Sequence, residues 1–233
     1  MKLIDLSQDI FTGMPVYPSH QRTVIFEIKS HKESALQNAS GFSTRTNGLL
    51  MSDHGPTHMD AIAHMDPDPN APSVDEIPLE DMYTSAICLD VSHIRGEENY
   101  ITKDELQRAL KMSGLTIQKR DTVLLYTGHS DRTYPDYQRY LFNYPGLDRE
   151  GTEFLLDHGA INIGIDAPSV DSSIEMKRKL YPSHVVCRER QCYNIENMCN
   201  LGEVAGKRFT LAAFCLKIRG GSGSPIRAVA ILD

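Results

Sequence analysis

The chain has no tryptophan, no Cys-x-x-Cys pair, no Gly-Xaa-Ser-Xaa-Gly pentapeptide and no long apolar or basic run. Without about 18 apolar residues in succession, a membrane-spanning helix is excluded. Met1-Lys2-Leu3-Ile4-Asp5 puts an acid where a secretory signal needs its apolar segment, so the protein is expected in the cytoplasm. The formal net charge is -7 and the one basic cluster is the short Lys177-Arg178-Lys179, so neither nucleic acid nor a membrane is an expected partner. Five cysteines without paired spacing argue against a disulfide framework and a structural zinc finger. Cys88 and Cys215 lie in apolar runs and read as inert core thiols. Packing is also the first reading for Cys187, Cys192 and Cys199, although they lie near a second polar cluster described below. The missing nucleophile elbow disfavours a serine hydrolase. Linkers, repeats and low-complexity tracts are absent too, so residues 1–233 read as one domain.

What is present suits a mixed α/β protein with a sizeable core, at 40% hydrophobic and 24% charged residues. Short apolar or β-branched runs closed by turn residues predict strands at Lys2 to Leu6, Val24 to Lys29, Leu49 to Met51, Ala86 to Val91 and Thr122 to Tyr126. Further strands are predicted at Ile161 to Ile165, Phe209 to Ile218 and Ile226 to Leu232. Thr102-Lys103-Asp104-Glu105 reads as a capping box opening a helix that ends at Gly114. A second helix is read from Asp148 to His158, stopped by Gly159, with His158 favoured at the C-terminus by the helix dipole.

The segment Asp53 to Met65 gathers His54, His58, Asp60 and His64. Neutral imidazole nitrogen and carboxylate oxygen match divalent Zn or Mn, so His54, His58 and Asp60 form a candidate metal half-site, with His64 left for proton transfer. The plain alternative is a solvated His-rich turn containing Gly and Pro. A helix would put His54 and His58 on one face, and an extended segment would do the same for His58 and Asp60. Gly55-Pro56 favours a turn, so a strand ending near Met51 is expected, with ligands on the irregular segment after it. His184 and Glu196, twelve residues apart, form a second candidate half-site. His20, His31, His93 and His129 have no partner at ligand spacing. Asp166 and Asp171 read as turn residues holding their own backbone, and Ser169 as a candidate pocket-lining residue.

The segment from His54 to His64 resembles the HxGTHxDxPxH signature of the cyclase-family metal-dependent hydrolases, whose best known members are bacterial kynurenine formamidase and isatin hydrolase. Further matches are Ile4-Asp5-Leu6-Ser7, Gly13 to Pro18, Leu124 to Gly128, Gly164 to Asp171 and Ser224 to Ala228, so the resemblance covers nearly the whole chain. Pro56 stands where the signature has Gly, and Ile62 where it has Pro. These departures alter the loop and the pocket wall while every ligand position and His64 are kept.

The resemblance implies a single domain with a β-barrel-like core of the swivelling β/β/α kind, assembled as a homodimer or homotetramer. In the family a neighbouring subunit's amino-terminal region can complete the pocket, which makes the loop around Phe11 to Pro18 a candidate contributor. The resemblance also implies one or two divalent ions per subunit, Zn or Mn. His54, His58 and Asp60 would hold the first, His184 and Glu196 the second, with Asp60 as a bridge and His64 as the catalytic histidine. The implied activity is hydrolysis of a small-molecule amide, as in conversion of N-formyl-kynurenine to kynurenine and formate in tryptophan catabolism. The alternatives are ring opening of a cyclic amide or imide and a metal-binding protein without turnover. A formamidase pocket needs aromatic side chains, and with no Trp and seven Phe this chain has mainly its ten Tyr to offer.

Overall fold

Thr122–Tyr126 is buried at four consecutive positions and half-buried at the fifth, and a strand needing apolar cover on both faces belongs inside a sheet. The computed structural model describes residues 1–232, among which thirteen strands occur. In chain order these are β1 (Lys2–Asp5), β2 (Val24–Lys29), β3 (Thr46–Leu50), β4 (His58–Asp60), β5 (Tyr83–Asp90), β6 (Tyr100–Ile101) and β7 (Thr122–Tyr126). They continue with β8 (Gly146–Leu147), β9 (Asn162–Ile165), β10 (Tyr193–Glu196), β11 (Arg208–Ala212), β12 (Gly223–Pro225) and β13 (Val229–Leu232).

Nine strands join in the order β1-β13-β11-β5-β7-β9-β10-β4-β12. The central β5, β7, β9 and β10 run parallel, while β4 and β12 on one side and β11, β13 and β1 on the other pair antiparallel. The sheet curls into a half-barrel, in keeping with the mixed α/β expectation. Alternating side chains divide the core: Cys88 and Leu124 pack with Leu6, Met59 and Ile195 on one face. Ile87, Leu89, Val123 and Leu125 pack on the other face. That second face is covered by Leu106 and Ala109 of the Lys103–Ser113 helix, Phe154 and Leu155 of the Arg149–Asp157 helix, and Val186 and Cys187 of the Pro182–Arg190 helix. Among the described residues no helix is long and apolar enough to cross a membrane, and all five cysteines are free.

Several boundaries differ from the sequence reading for local reasons. The Thr102 hydroxyl caps Glu105 N–H at 3.4 Å. Glu105 does not return the bond as a capping box requires; its carboxylate pairs with His93 at 2.7 Å. β11 stops at Ala212, one pair short of the in-register bond from Ala213 N–H to Met82 O, and the apolar residues beyond it, Leu216 and Ile218, are 58% and 37% exposed. The expected strand near Met51 is β3, which pairs with β2 in a separate two-stranded ribbon. The candidate ligands do not all follow it on irregular chain, since His58 and Asp60 are the first and last residues of β4.

The Pro182–Arg190 helix has no apolar periodicity to announce it. It begins with Pro182 in its first turn, where the missing N–H costs nothing. Asp171 Oδ1 accepts from Ser183 N–H at 2.6 Å, so a residue from another segment satisfies an otherwise unpaired amide.

Candidate metal centre

In an extended strand residues i and i+2 share a face, so β4 turns His58 and Asp60 the same way. Glu196 of β10 lies directly opposite His58 in the antiparallel register, and directly opposed residues project to the same side. One cross-strand pair thus brings together an imidazole and two carboxylates that are far apart in sequence. Ligand atoms of His58, Asp60 and Glu196 lie within 4.8 Å of one another, as do those of His54, Asp60 and His64.

Opposite Asp60 in β12 is Gly223. A Cβ there would lie 2.7 to 3.0 Å from the His54 ring atoms, so the missing side chain makes room for that imidazole. His54 approaches from the loop before β4, with Nδ1 2.8 Å from Asp60 Oδ1. His184, on the first turn of the Pro182–Arg190 helix, brings Nε2 to 3.6 Å from Asp60 Oδ2 and 3.7 Å from Glu196 Oε1. His58 Nε2 is 3.2 Å from Asp60 Oδ1 and 3.7 Å from Glu196 Oε2. All six residues singled out in the sequence therefore meet around Asp60.

Hydrogen bonds on the far side of each ring fix the tautomers, assigned here from the partners. His58 Nδ1–H donates to Pro56 O at 2.9 Å. His184 Nδ1–H donates to Asp171 Oδ2 at 2.5 Å. The Ser222 hydroxyl donates to Asp53 and so accepts from His54 Nε2–H at 2.9 Å. Each ring is left with a nitrogen lone pair aimed at the carboxylates. Lone pairs facing carboxylate oxygens across these distances repel unless a proton or cation lies between them. Asp60 Oδ2 is buried without a hydrogen-bond partner, and the Glu196 carboxylate is steadied by Ser169 Oγ–H at 3.1 Å and Val170 N–H at 2.9 Å. Three imidazoles and the Glu196 carboxylate, each held from behind, together with the Asp60 carboxylate match the donor set of a divalent transition metal.

The electrostatics agree with that reading. Burial drags the His58 pKa down, but the hydrogen bond and charge of Asp60, with Glu196, outweigh it and push it up to about 9. His184 is raised despite burial, through Asp171 and Asp60. The carboxylates therefore recruit positive charge, which protons supply when no cation does. His64 behaves differently: burial within the surrounding protein, with His54, His184 and His58 nearby, outweighs Asp60 and pulls it down to about 4. Its ring still has access to water in the cavity it lines, and its centroid is 4.0 Å from that of His54.

That cavity has a volume of about 400 Å³. Its walls include Val16, Leu141 and Met176 as well as Ser169, which takes the lining position anticipated for it. Pro15, Val16 and Tyr17 of the amino-terminal loop line the cavity of their own chain.

Two residues read from sequence as bystanders belong to the site. His20 lines the cavity with its ring centroid 5.7 Å from that of His54, and burial together with His54 lowers its pKa. Asp171 is no self-contained turn residue; it is fully buried and orients His184. Neither carries a local signal, because each meets the cluster only through long-range folding. Asp166 does bind backbone, as expected, but that of Thr127, whose N–H and Oγ–H donate to Oδ1 at 2.8 and 2.6 Å.

Comparison with known proteins bears on this arrangement. Residues 4–172 match the family model described as "Putative cyclase". The chain is 27% identical over 232 residues to a kynurenine formamidase of Salinibacter ruber, covering 98% of this chain and 97% of that protein. It is 28% identical over 230 residues to a kynurenine formamidase of Bacillus anthracis, covering 98% and 96%. Among solved structures, isatin hydrolase A from Ralstonia solanacearum superposes with a TM-score of 0.86 at 26% identity, covering 100% of this chain and 92% of that one.

Proposed function

The chain belongs to the cyclase family, and from that premise we propose that it is a metal-dependent hydrolase of amide bonds, resembling arylformamidase. One observation carries the reading. Three imidazoles, each bonded away through one nitrogen, converge through the other on Asp60 and Glu196, and Asp60 Oδ2 is left without a partner. His54, His58, Asp60, His184 and Glu196 are the ligands in this reading, with Zn or Mn as one or two ions. The relatives' names supply the bond type, since kynurenine formamidases act on an N-formyl amide.

A cation held by His54, His58, Asp60, His184 and Glu196 would lower the pKa of a water to about 7 and would polarise the substrate carbonyl. The remaining chemistry belongs to the protein. His64, neutral at pH 7 because its pKa is pulled to about 4, accepts a proton from the attacking water. It then delivers that proton to the leaving nitrogen, which must be protonated as the tetrahedral species collapses. Asp171 and Pro56 O hold His184 and His58 in the tautomers that face inward. Val16, Leu141 and Met176 supply apolar wall to the cavity, against which the non-reacting part of an amide substrate can pack. A small amide substrate and a homodimer or homotetramer complete the reading.

The test is metal analysis and a substrate panel on wild type and His64→Ala. Metal content close to wild type with hydrolysis reduced at least about 100-fold is expected. Unchanged hydrolysis would remove His64 from the mechanism, and metal loss equal to the loss of activity would make it a ligand. The structural likeness to isatin hydrolase A supports including cyclic amides beside aryl formamides in the panel.

A further inference from the structure

The Pro182–Arg190 helix carries a second polar residue into the cavity. His184 and Arg188 are four residues apart, so they share a helix face one turn apart, about 6 Å along the axis, and both line the cavity. Arg188 is half-buried. Among the described residues its guanidinium makes no hydrogen bond and no ion pair, while the acids nearest in sequence or on the facing helix are engaged elsewhere. Glu189 is held by Arg149 at 2.7 Å, Asp157 by Arg190 at 2.9 Å, and Glu175 by Arg178 at 3.0 Å. Arg22 and Arg219 also lack such partners, but both lie exposed on the surface. Arg188 therefore stands apart as a cavity-lining cation whose five donors have no protein acceptor.

A planar guanidinium presents two parallel N–H groups that match both oxygens of a carboxylate, and the match is strongest where water is restricted. Resting on the amide-hydrolase reading, we propose that Arg188 is a specificity-determining residue that binds a carboxylate of the substrate. The substrate class is then an amide bearing an anionic group on the side of the molecule directed along the helix from His184 toward Arg188. A neutral amide of the same size leaves the guanidinium unpaired and is the poorer substrate.

The test compares wild type, Arg188→Gln and Arg188→Lys, all metal-loaded, on N-formyl-kynurenine and on its decarboxylated counterpart N-formyl-kynuramine. In wild type kcat/KM favours the carboxylate. In Arg188→Gln that preference falls about 10- to 100-fold, mostly through KM, the size expected for a charge-assisted hydrogen bond. Arg188→Lys restores part of it. Calorimetric binding of kynurenine and kynuramine reads the same discrimination without turnover. A wild type that does not prefer the carboxylate, or an Arg188→Gln protein with wild-type preference in both measurements, overturns the proposal. Arg188-dependent binding with no hydrolysis of any amide would sink the hydrolase reading and leave the carboxylate site standing. Hydrolysis without Arg188-dependent discrimination would do the reverse.

Discussion

Replacing Asp171 by Asn tests whether the tautomer of His184 is what would make it a ligand at the proposed metal site. The wild-type carboxylate accepts three times, from Ser183 N–H at 2.6 Å, from His184 Nδ1–H at 2.5 Å and more weakly from His184 N–H at 3.4 Å, in a position with no solvent exposure. An amide of the same shape has one oxygen. If that oxygen stays on Ser183 N–H, the amide NH2 faces His184 Nδ1, and the imidazole proton moves to Nε2, which then points at Asp60 and Glu196 as a donor. A protonated Nε2 cannot ligate. Loss of such a supporting carboxylate weakens metal binding by about 10- to 100-fold, or about 1.4 to 2.7 kcal/mol. If instead the oxygen turns to His184, Ser183 N–H is buried without an acceptor, at a stability cost of about 1 to 3 kcal/mol. Chelator competition measures the affinity, nitrogen NMR of His184 reports the tautomer, and thermal melting detects the second outcome. An Asp171→Asn protein that binds metal within about twofold of wild type, with an unchanged tautomer and melting point, would refute the reasoning.

Two more predictions follow from the same geometry. Gly223→Ala places a methyl 2.7 to 3.0 Å from the His54 ring, so the imidazole must swing away from Asp60; metal analysis should show reduced occupancy in a protein whose circular dichroism is that of wild type. Asp166 has a pKa raised from 3.8 to about 6 by burial, against hydrogen bonds from Thr127 and with the charge of Asp131 adding to the rise. Because its folded pKa lies above the unfolded one, its contribution is fully present below about pH 4 and is lost as pH rises through 6. The stability of wild type relative to Asp166→Asn should fall by about 3 kcal/mol over that window, as read from denaturant melts, and a flat difference would contradict the assignment.

Sequence spacing revealed the local half of the site because His54, His58, Asp60 and His64 lie on one short segment. It could not choose between helical and extended presentation; the strand alternative is the one adopted, since β4 is hydrogen-bonded on both sides, to β10 and β12. Glu196 was legible only as a member of a distant pair. What places it beside His58 is a cross-strand register spanning most of the chain, and no local pattern encodes that. The same holds for Asp171 and His20. The Pro182–Arg190 helix was missed for a different reason. Its buried residues Ser183, Val186 and Cys187 make a narrow stripe, and its C-terminus is closed by Gln191 at φ 55°, a residue that gives none of the usual stop signal of glycine. β5, β7 and β9 are legible because their runs are apolar on both faces, whereas β10, with Asn194 and Glu196 among its four residues, gives no such run.

The sheet ends beside the candidate metal site in β12, three residues long and finishing at Pro225. A proline has no amide hydrogen to offer an incoming chain, and so short a border gives too little ladder to template fibril-like stacking. The border nearest the candidate site is in this way insulated from unwanted self-pairing, and it is screened as well: all three of its residues are buried, Leu216 N–H donates to Ser224 Oγ at 2.8 Å and Cys215 bridges Ile226 just beyond it.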